Sequence, residues 1–256
     1  MIDPTARVHP DAQLAPDVEV GAYSVIGPQV QIGAGSVIGP HAVITGNTTI
    51  GRNNRIFQFA SIGETPQDKK YHAGDDTRLE IGDGNTIREF CTINVGTAGG
   101  GGVTRLGDDN WLMASVHIAH DCLIGSHTIF ANSASLAGHV TVEDHVILGG
   151  FALVHQFCAL GAHSFLGATA LVLKDVPPFV MADGNSARPR GINSEGLRRR
   201  GFSTDDITTI RNAYKALYRS GLRLQEALAV LDGESDSPHV ALMAAFVRRS
   251  QRGIIR

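Results

Sequence analysis

The sequence predicts a mainly β protein: a parallel β-helix over residues 2 to about 177, followed by a small α-helical domain. Three observations predict it. An aliphatic residue recurs at every sixth position, small residues sit at fixed offsets inside each hexad, and the pattern changes abruptly to helical spacing towards the C-terminus. The expected division is a solenoid over 1–186 and a helical domain over 187–256.

The period runs through Ile2, Val8, Leu14, Val20, Ile26, Ile32, Ile38, Ile44, Ile50, Ile56 and Ile62. It resumes after a slip at Ile81, Ile87 and Ile93, and again from Leu106 through Leu112, Ile118, Ile124, Phe130, Leu136, Val142, Leu148, Val154, Leu160 and Leu166 to Val172. The slips fall in 66–80 and 97–105, which are rich in Gly, charge and turn formers and are expected to be loops thrown out from a regular core. A helix repeats at 3.6 residues and a strand at 2, whereas six fits a short strand plus a turn. Gly often follows the aliphatic residue, as at Gly21 and Gly149, where a missing Cβ permits a sharp turn. Four positions on there is usually a small residue such as Ala42 or Ala134, and both are expected to point inward. Three hexads make one coil of 18 residues, coils stack at about 4.8 Å, and residues 18 apart become neighbours.

Placed on that coil, Cys91, Cys122 and Cys158 all take the small inward position and belong to the core. Cys122 and Cys158 lie two coils apart, roughly 10 Å, beyond the span of a disulfide. Thiol nucleophiles and thiolate metal sites are therefore not expected.

Histidine is crowded instead. Seven of the 11 lie between 117 and 163. His127, His145 and His163 are spaced by 18 and form a vertical ladder, either a stacked polar ladder on a solvated or subunit-facing surface or a metal site. His117, His120, His139 and His155 fall elsewhere on the coil. Asp121 lies 18 before His139, so His120 and His139 approach each other, and the Gly138 backbone sits above His120. A general base beside a backbone N–H suits acyl transfer, the imidazole taking the acceptor's proton and the amide stabilising the oxyanion. No Gly-x-Ser-x-Gly elbow or exposed cysteine offers an acyl-enzyme nucleophile, so direct transfer is expected. The Gly99–Gly102 run lacks the Lys-Ser/Thr of a phosphate loop and reads as a flexible loop.

Composition narrows the classes. Net charge is −3 and mean hydropathy +0.00. No run approaches the ~18 apolar residues of a membrane span, and the N-terminus lacks the layout of a secretory signal. A cytoplasmic protein without stable membrane insertion is expected, and with few aromatics and no recognition motif, no nucleic-acid role. The charge is uneven: residues 188–256 hold 13 Lys/Arg against 7 Asp/Glu. That end either meets an anionic partner or simply presents solvated helix faces.

Beyond Asp175-Val176-Pro177-Pro178 the hexads stop. Ser203 with Asp206 predicts a capping box, and Ile207, Ile210, Tyr214, Leu217 and Tyr218 a helix ending at Gly221. A second helix is expected over 222–231 and a third from Ser237-Pro238, with Leu242, Ala245 and Phe246 inward. These helices suit a solenoid cap. Asn193-Ser194-Glu195-Gly196-Leu197-Arg198-Arg199-Arg200 offers adjacent Arg, Asn and Glu able to hold a nucleotide diphosphate.

The hexads resemble those of the hexapeptide-repeat proteins, which implies a left-handed parallel β-helix. More specifically, the chain resembles, from end to end, the acyl-carrier-protein:UDP-N-acetylglucosamine O-acyltransferases of lipid A biosynthesis. The marks are His117-Ile118-Ala119-His120-Asp121-Cys122, Leu136-Ala137-Gly138-His139-Val140, Val154-His155-Gln156-Phe157, Asp175-Val176-Pro177-Pro178 and Asn193 through Phe202. The resemblance implies transfer of an (R)-3-hydroxyacyl chain from acyl carrier protein, where phosphopantetheine carries it, to the 3-hydroxyl of UDP-N-acetylglucosamine, without a further cofactor or metal. It implies His120 as general base oriented by Asp121, and the Gly138 amide as oxyanion donor. It implies Asp68, Lys70, His117, His139, His155, Gln156, Asn193, Glu195, Arg199 and Arg200 as substrate-binding residues, and a homotrimer with sites between subunits. Ala168 is the expected acyl-length ruler. His72, within Lys69-Lys70-Tyr71-His72-Ala73-Gly74, departs from the family's loop. Two rival enzymes share the solenoid, the related N-acyltransferase of the same pathway and a zinc γ-type carbonic anhydrase. The N-acyltransferase carries a domain before its hexads, which here begin at Ile2, and an ice-binding solenoid would need flat Thr ladders where Thr is only scattered.

Overall fold

The computed structural model describes residues 1–72, 74–233 and 236–256. Most strands are two residues long, and they stack into three sheets. The first sheet has nine strands, from Arg7–Val8 to Leu171–Val172; the second has eight, from Gln13–Leu14 to Ala159–Leu160. The third has ten, from Glu19–Val20 through Phe165–Leu166 and beyond. Pairing is parallel with the expected 18-residue register, as in Ile118 to Leu136 and Leu136 to Val154. The chain is a left-handed parallel β-helix. The usual right-handed preference comes from a twisted strand feeding a packed helix, and here the connections are tight corners with no helix to place.

The aliphatic hexad positions fill the core: Ile44, Ile62, Ile93, Ile118, Leu136 and Leu148 are fully buried, each stabilising by about 1.5–3 kcal/mol relative to exposure. The small positions Ala42, Ala134 and Ala152 are equally buried. The glycines act differently from expectation. Gly21 and Gly149 do not have positive φ; the left-handed residue comes two positions later, at Tyr23 (φ 59) and Phe151 (φ 57). A Cβ on Gly21 would stand 2.6 Å from Pro40 N, and one on Gly149 2.6 Å from Ala168 N. These glycines are needed because the next coil passes so close, while the corner itself is turned by a non-glycine residue.

Both excursions are shorter than the sequence suggests, spanning 65–77 and 95–102. Leu79 and Thr104 are buried and pair with each other across neighbouring strands, two residues before the hexad aliphatics Ile81 and Leu106, so those strands begin earlier than the hexads suggest. Each excursion leaves the first sheet, after Ser61–Glu64 or Thr92–Asn94, and re-enters the second at Arg78–Ile81 or Val103–Leu106. They therefore occupy one corner of the prism. His120-Asp121 and Gly138-His139 turn that same corner higher up.

The third sheet continues past the hexads. Val180–Asp183 pairs parallel to Phe165–Leu166, and Arg188–Ile192 folds back antiparallel upon it. Four helices follow: α1 Ser194–Arg199, α2 Thr204–Tyr218, α3 Leu224–Gly233 and α4 Pro238–Arg249. The Ser203/Asp206 capping box is present. α1 was not expected, Pro238 opens α4 as expected, and the Ser237 side chain makes no capping bond. In α4 Phe246 is buried, but Met243, Ala244 and Val247 lie inward with it, whereas Ala245 is exposed and Leu242 half-buried. No helix among the described residues is long and apolar enough to cross a membrane.

The chain's end is tied to the last coil through Asp175. Its carboxylate accepts from Ala159 N (2.8 Å) and Ser250 Oγ (2.6 Å), and its backbone pairs with Gly253 and Ile255. Asp175 is 3% exposed. Replacing it by alanine leaves a buried amide and a hydroxyl without an acceptor. Asp175→Ala is expected to lower the unfolding free energy by about 1–3 kcal/mol, read from the shift in urea midpoint.

Candidate active site

The corner between the first and second sheets brings His120, Asp121, Gly138 and His139 together. Strands His117–Ile118 and Ser135–Leu136 deliver the two turns one above the other, and His139 N donates to His120 O at 3.0 Å. Asp121 and His139 take the left-handed corner position, with φ of 59 and 63.

His120 Nδ1 lies 2.8 Å from Asp121 Oδ2. Asp121 is 5% exposed and is held by three further bonds. Thr97 Oγ1 donates to Oδ2 at 2.6 Å, Thr97 N donates to Oδ1 at 3.0 Å, and Asp121 N donates to Thr104 Oγ1 at 2.8 Å. A carboxylate receiving donors on both oxygens stays an acceptor, so His120 Nδ1 carries the hydrogen and Nε2 keeps its lone pair. The His139 ring meets His120 edge-on with centroids 5.1 Å apart, and it stacks on Phe157 at 4.4 Å. Burial lowers the pKa of His139 and of His117, which keeps both imidazoles neutral. His117 is oriented by Thr92, whose Oγ1 lies 2.7 Å from Nδ1.

Gly138 is glycine because of His120: a Cβ there would stand 2.5 Å from His120 Cε1 and 2.7 Å from Nε2. Its amide also differs from its counterparts. At the corner between the second and third sheets, the equivalent turn amides are capped by side chains: Arg52 N by Asp83, Asp83 N by Asp108, Asp108 N by Ser126 and Ser126 N by Asp144. Gly138 N–H has no such acceptor among the described residues. A donor beside an imidazole lone pair is left free for an incoming acceptor. A cavity of about 290 Å³ adjoins His139 and Phe157 and runs towards Phe246 and Arg249 of α4.

The other expected residues divide into two groups. His155 and Gln156 are exposed at the same corner, one coil up. Asp68 lies on the 65–77 loop, close enough to His139 to act on its charge, and exposed Lys70 is on the same loop; Ala73 lies outside the described residues. Asn193, Glu195, Arg199 and Arg200 do not reach this corner within one chain. Asn193 caps α1 and donates to His163 O at 3.0 Å, Glu195 pairs with Arg198 and Arg199, and Arg200 Nη2 donates to His145 O. These lie at the corner between the second and third sheets. Ala168 turns the remaining corner, where it is exposed.

Thr97 and Thr104 were not anticipated. The Gly99–Gly102 run, expected to be merely flexible, begins with a single turn at Ala98–Gly100 that closes over the carboxylate. A Cβ on Gly100 would collide with Asp121 Oδ2. The sequence signal was a threonine two residues before a glycine run, Thr97-Ala98-Gly99.

His120, Asp121 and His139 offer ligand atoms within 4.8 Å of one another, the group among the described residues compact enough to share a cation. Ligand atoms at about 2.0–2.2 Å from a tetrahedral metal lie about 3.3–3.6 Å apart. The 2.8 Å contact between His120 and Asp121 is instead the length of a proton-bridged bond. The cysteines are buried and free, and burial pushes Cys122 up to about 12, which removes it as a thiolate nucleophile.

Residues 175–255 match the family described as UDP N-acetylglucosamine O-acyltransferase, domain 2, and residues 104–138 match the bacterial transferase hexapeptide family. The chain is 62% identical to the acyl-[acyl-carrier-protein]–UDP-N-acetylglucosamine O-acyltransferase of Thiobacillus denitrificans and 61% identical to that of Herminiimonas arsenicoxydans, each match covering 100% of this chain and 99% of the relative. The structure of LpxA from Acinetobacter baumannii superposes with a TM-score of 0.96 at 48% identity, covering 100% of this chain and 99% of that one.

The second histidine group forms a stacked ladder: His127 on His145 at 4.9 Å, His145 on His163 at 4.7 Å, and His163 on Phe179 at 5.6 Å. Burial lowers the pKa of His163 to about 4, with the charges of His145, Arg200 and His239 adding to it and Asp144 opposing. An unfolded histidine binds its proton near 6.5. Between those values the unfolded chain holds more protons, so stability rises with pH and is lost as pH falls from about 6.5 towards 4. The His163→Phe variant is expected to lose less stability on acidification than the parent, checked by urea unfolding at about pH 7 and about pH 4.5.

Proposed function

The chain belongs to the acyl-[acyl-carrier-protein]–UDP-N-acetylglucosamine O-acyltransferases, and from that membership we propose that it transfers an (R)-3-hydroxyacyl group directly to the sugar 3-hydroxyl of UDP-N-acetylglucosamine, opening lipid A biosynthesis. The observation that carries the mechanism is the pairing of an oriented imidazole with an uncapped amide, His120 against Gly138. His120 Nε2 takes the proton of the sugar hydroxyl as its oxygen attacks the thioester carbonyl. The Gly138 N–H receives the oxyanion of the tetrahedral intermediate. Collapse breaks the C–S bond as His120 Nε2 passes the proton to the departing pantetheine sulfur, which leaves as the thiol, so base and acid are one residue. The acyl donor arrives on the phosphopantetheine of acyl carrier protein, and no further cofactor enters.

His117, His139, His155, Gln156, Asp68 and Lys70 would hold the two substrates around that corner. Asn193, Glu195, Arg199 and Arg200 would come from a neighbouring copy. Apolar outward faces support a homotrimer: Trp111, Ile129, Ile147 and Phe165 lie in register along the third sheet, and Leu153 is next to Leu171 on the first. Trp111 is 44% and Leu153 48% exposed in the single chain, and such contiguous apolar surface is ordinarily covered. Ala168, at the corner between these faces, would then bear on the acyl tail. A carrier-protein donor and a sugar-nucleotide acceptor place the reaction in the cytoplasm.

Incubation with UDP-N-acetylglucosamine and 3-hydroxyacyl carrier proteins of several lengths tests the reaction. The parent should form product; His120→Ala should lower kcat about 10²–10⁴-fold. Thr97→Val should lower kcat about tenfold at nearly constant KM, with Thr97→Ser restoring it. Full activity in His120→Ala would overturn the mechanism. Sites shared between subunits make a second prediction. Inactive His120→Ala and Arg199→Ala chains, mixed as unfolded protein and reassembled, should regain activity in about a quarter of sites. Recovery of none would place both residues in one chain's site.

A further inference from the structure

The basic excess of residues 188–256 is not spent on the acyl-transfer corner alone. Much of it is paired: Arg198 and Arg199 with Glu195, Arg248 with Asp232, and Arg249 with Glu143. Arg188, Arg190 and Arg219 have no ion pair among the described residues. They converge, with Arg256, Tyr214 and Tyr218, on a cup of about 290 Å³ between strand Arg188–Ile192, the last turns of α2 and the chain's end.

The chemistry of this cup is one-sided. Its polar lining side chains are guanidinium and phenol groups, and no acidic side chain lines it. Tyr214 is 5% exposed; the buried hydroxyl of Tyr218 has no hydrogen-bond partner, and that of Tyr214 has only the Arg219 guanidinium, a donor, beside it. Leaving a buried hydroxyl without an acceptor costs about 1–3 kcal/mol, so two phenols that find none, in a cup lined by guanidiniums, point to an absent acceptor. The end of α2 would normally repel an anion, because its last carbonyls carry partial negative charge. Here Arg256 Nη2 donates to Leu217 O and to Leu222 O, both at 2.9 Å, and covers those carbonyls. The cup is thus a donor array whose one adverse dipole is masked.

We propose that this cup binds a small phosphate-bearing ligand at a site separate from the acyl-transfer corner. A phosphate group presents several acceptor oxygens to three guanidiniums and two hydroxyls at once, and guanidinium forks match it in bidentate fashion. The volume suits a phosphoryl or diphosphoryl group with a short organic stem and falls below the usual range for larger ligands. The inference stands independently of the acyl-transfer reading, since it concerns binding alone.

Isothermal titration of the full chain with inorganic phosphate and with pyrophosphate, at fixed ionic strength, tests it. Saturable binding is expected that survives Arg199→Ala and weakens at least about tenfold in the Arg188→Ala/Arg190→Ala double variant. Tyr214→Phe provides the fold control. Its hydroxyl meets no acceptor within the protein, so the thermal midpoint should hold while phosphate binding weakens. Absence of saturable binding overturns the proposal, as does binding unchanged in both the double variant and Tyr214→Phe. So does binding removed by Arg199→Ala instead.

Discussion

Each coil of this molecule rests on the next through one layer of parallel backbone hydrogen bonds, and their register makes residues 18 apart neighbours wherever no loop intervenes. Bonds such as Val25 N to Ala42 O and Val43 N to Ala60 O, both 2.9 Å, repeat up the prism. Keeping that register imposes two local demands. A residue at most corners must accept the left-handed region, at a cost of about 1–2 kcal/mol for an ordinary side chain. A residue after each aliphatic position must tolerate the backbone of the next coil at contact distance, which selects glycine at Gly21 and Gly149. The corner cost is offset partly by stacking, since corner side chains line up vertically. Tyr23, His41, Phe59 and Phe90 stack at 5.2–5.4 Å, and the histidines from 127 to 163 at 4.7–4.9 Å.

The same register explains why so much of the molecule was legible. Hexad phase fixes which side chains enter the core, and it placed Cys91, Cys122 and Cys158 inside and Gly138 over His120 before any coordinate was known. It does not fix what a loop does after leaving the coil. Thr97 belongs to an excursion, so no count of six or eighteen relates it to Asp121, and its role follows only from the path of the glycine run. Loop ends were misjudged because Leu79 and Thr104 extend their strands inward at period two, beneath a signal of period six. α1 escaped notice because its single turn and a half is held by Asn193 capping and by His163 O, a contact 30 residues away that helical periodicity cannot register.

Function concentrates at one corner for a reason that can be stated in hydrogen bonds. Three corners repeat up the prism, and each exposes one turn amide per coil. At the corner between the second and third sheets, carboxylates and hydroxyls from the neighbouring coil occupy most of these amides, which leaves few backbone donors free. At the corner between the first and second sheets, the comparable place one coil above Gly138 is held by Gln156, whose side chain makes no bond to that amide, while Asp121 is turned towards Thr97 and His120. The Gly138 amide is thus left uncapped, and the Asp121 carboxylate beneath it fixes the imidazole tautomer. A structural repeat thereby becomes reactive through the loss of one cap.

The excursion that holds Asp121 also dries it. With the Ala98–Gly100 turn laid over the carboxylate, its side chain is 1% exposed while that of His120 is 16% exposed. The base stays accessible to an incoming hydroxyl, yet its partner does not exchange with water. An exposed Asp–His pair would be weakened by solvent screening to the small energies of surface ion pairs. In a shielded site the same bond orients the ring more firmly, and three donors from Thr97 and His120 replace the hydration the carboxylate has lost. Glycine at 100 is what lets the backbone lie this close, so the glycine run and the catalytic dyad form one physical unit. Chain order separates them by 20 residues, but the coil sets them in contact.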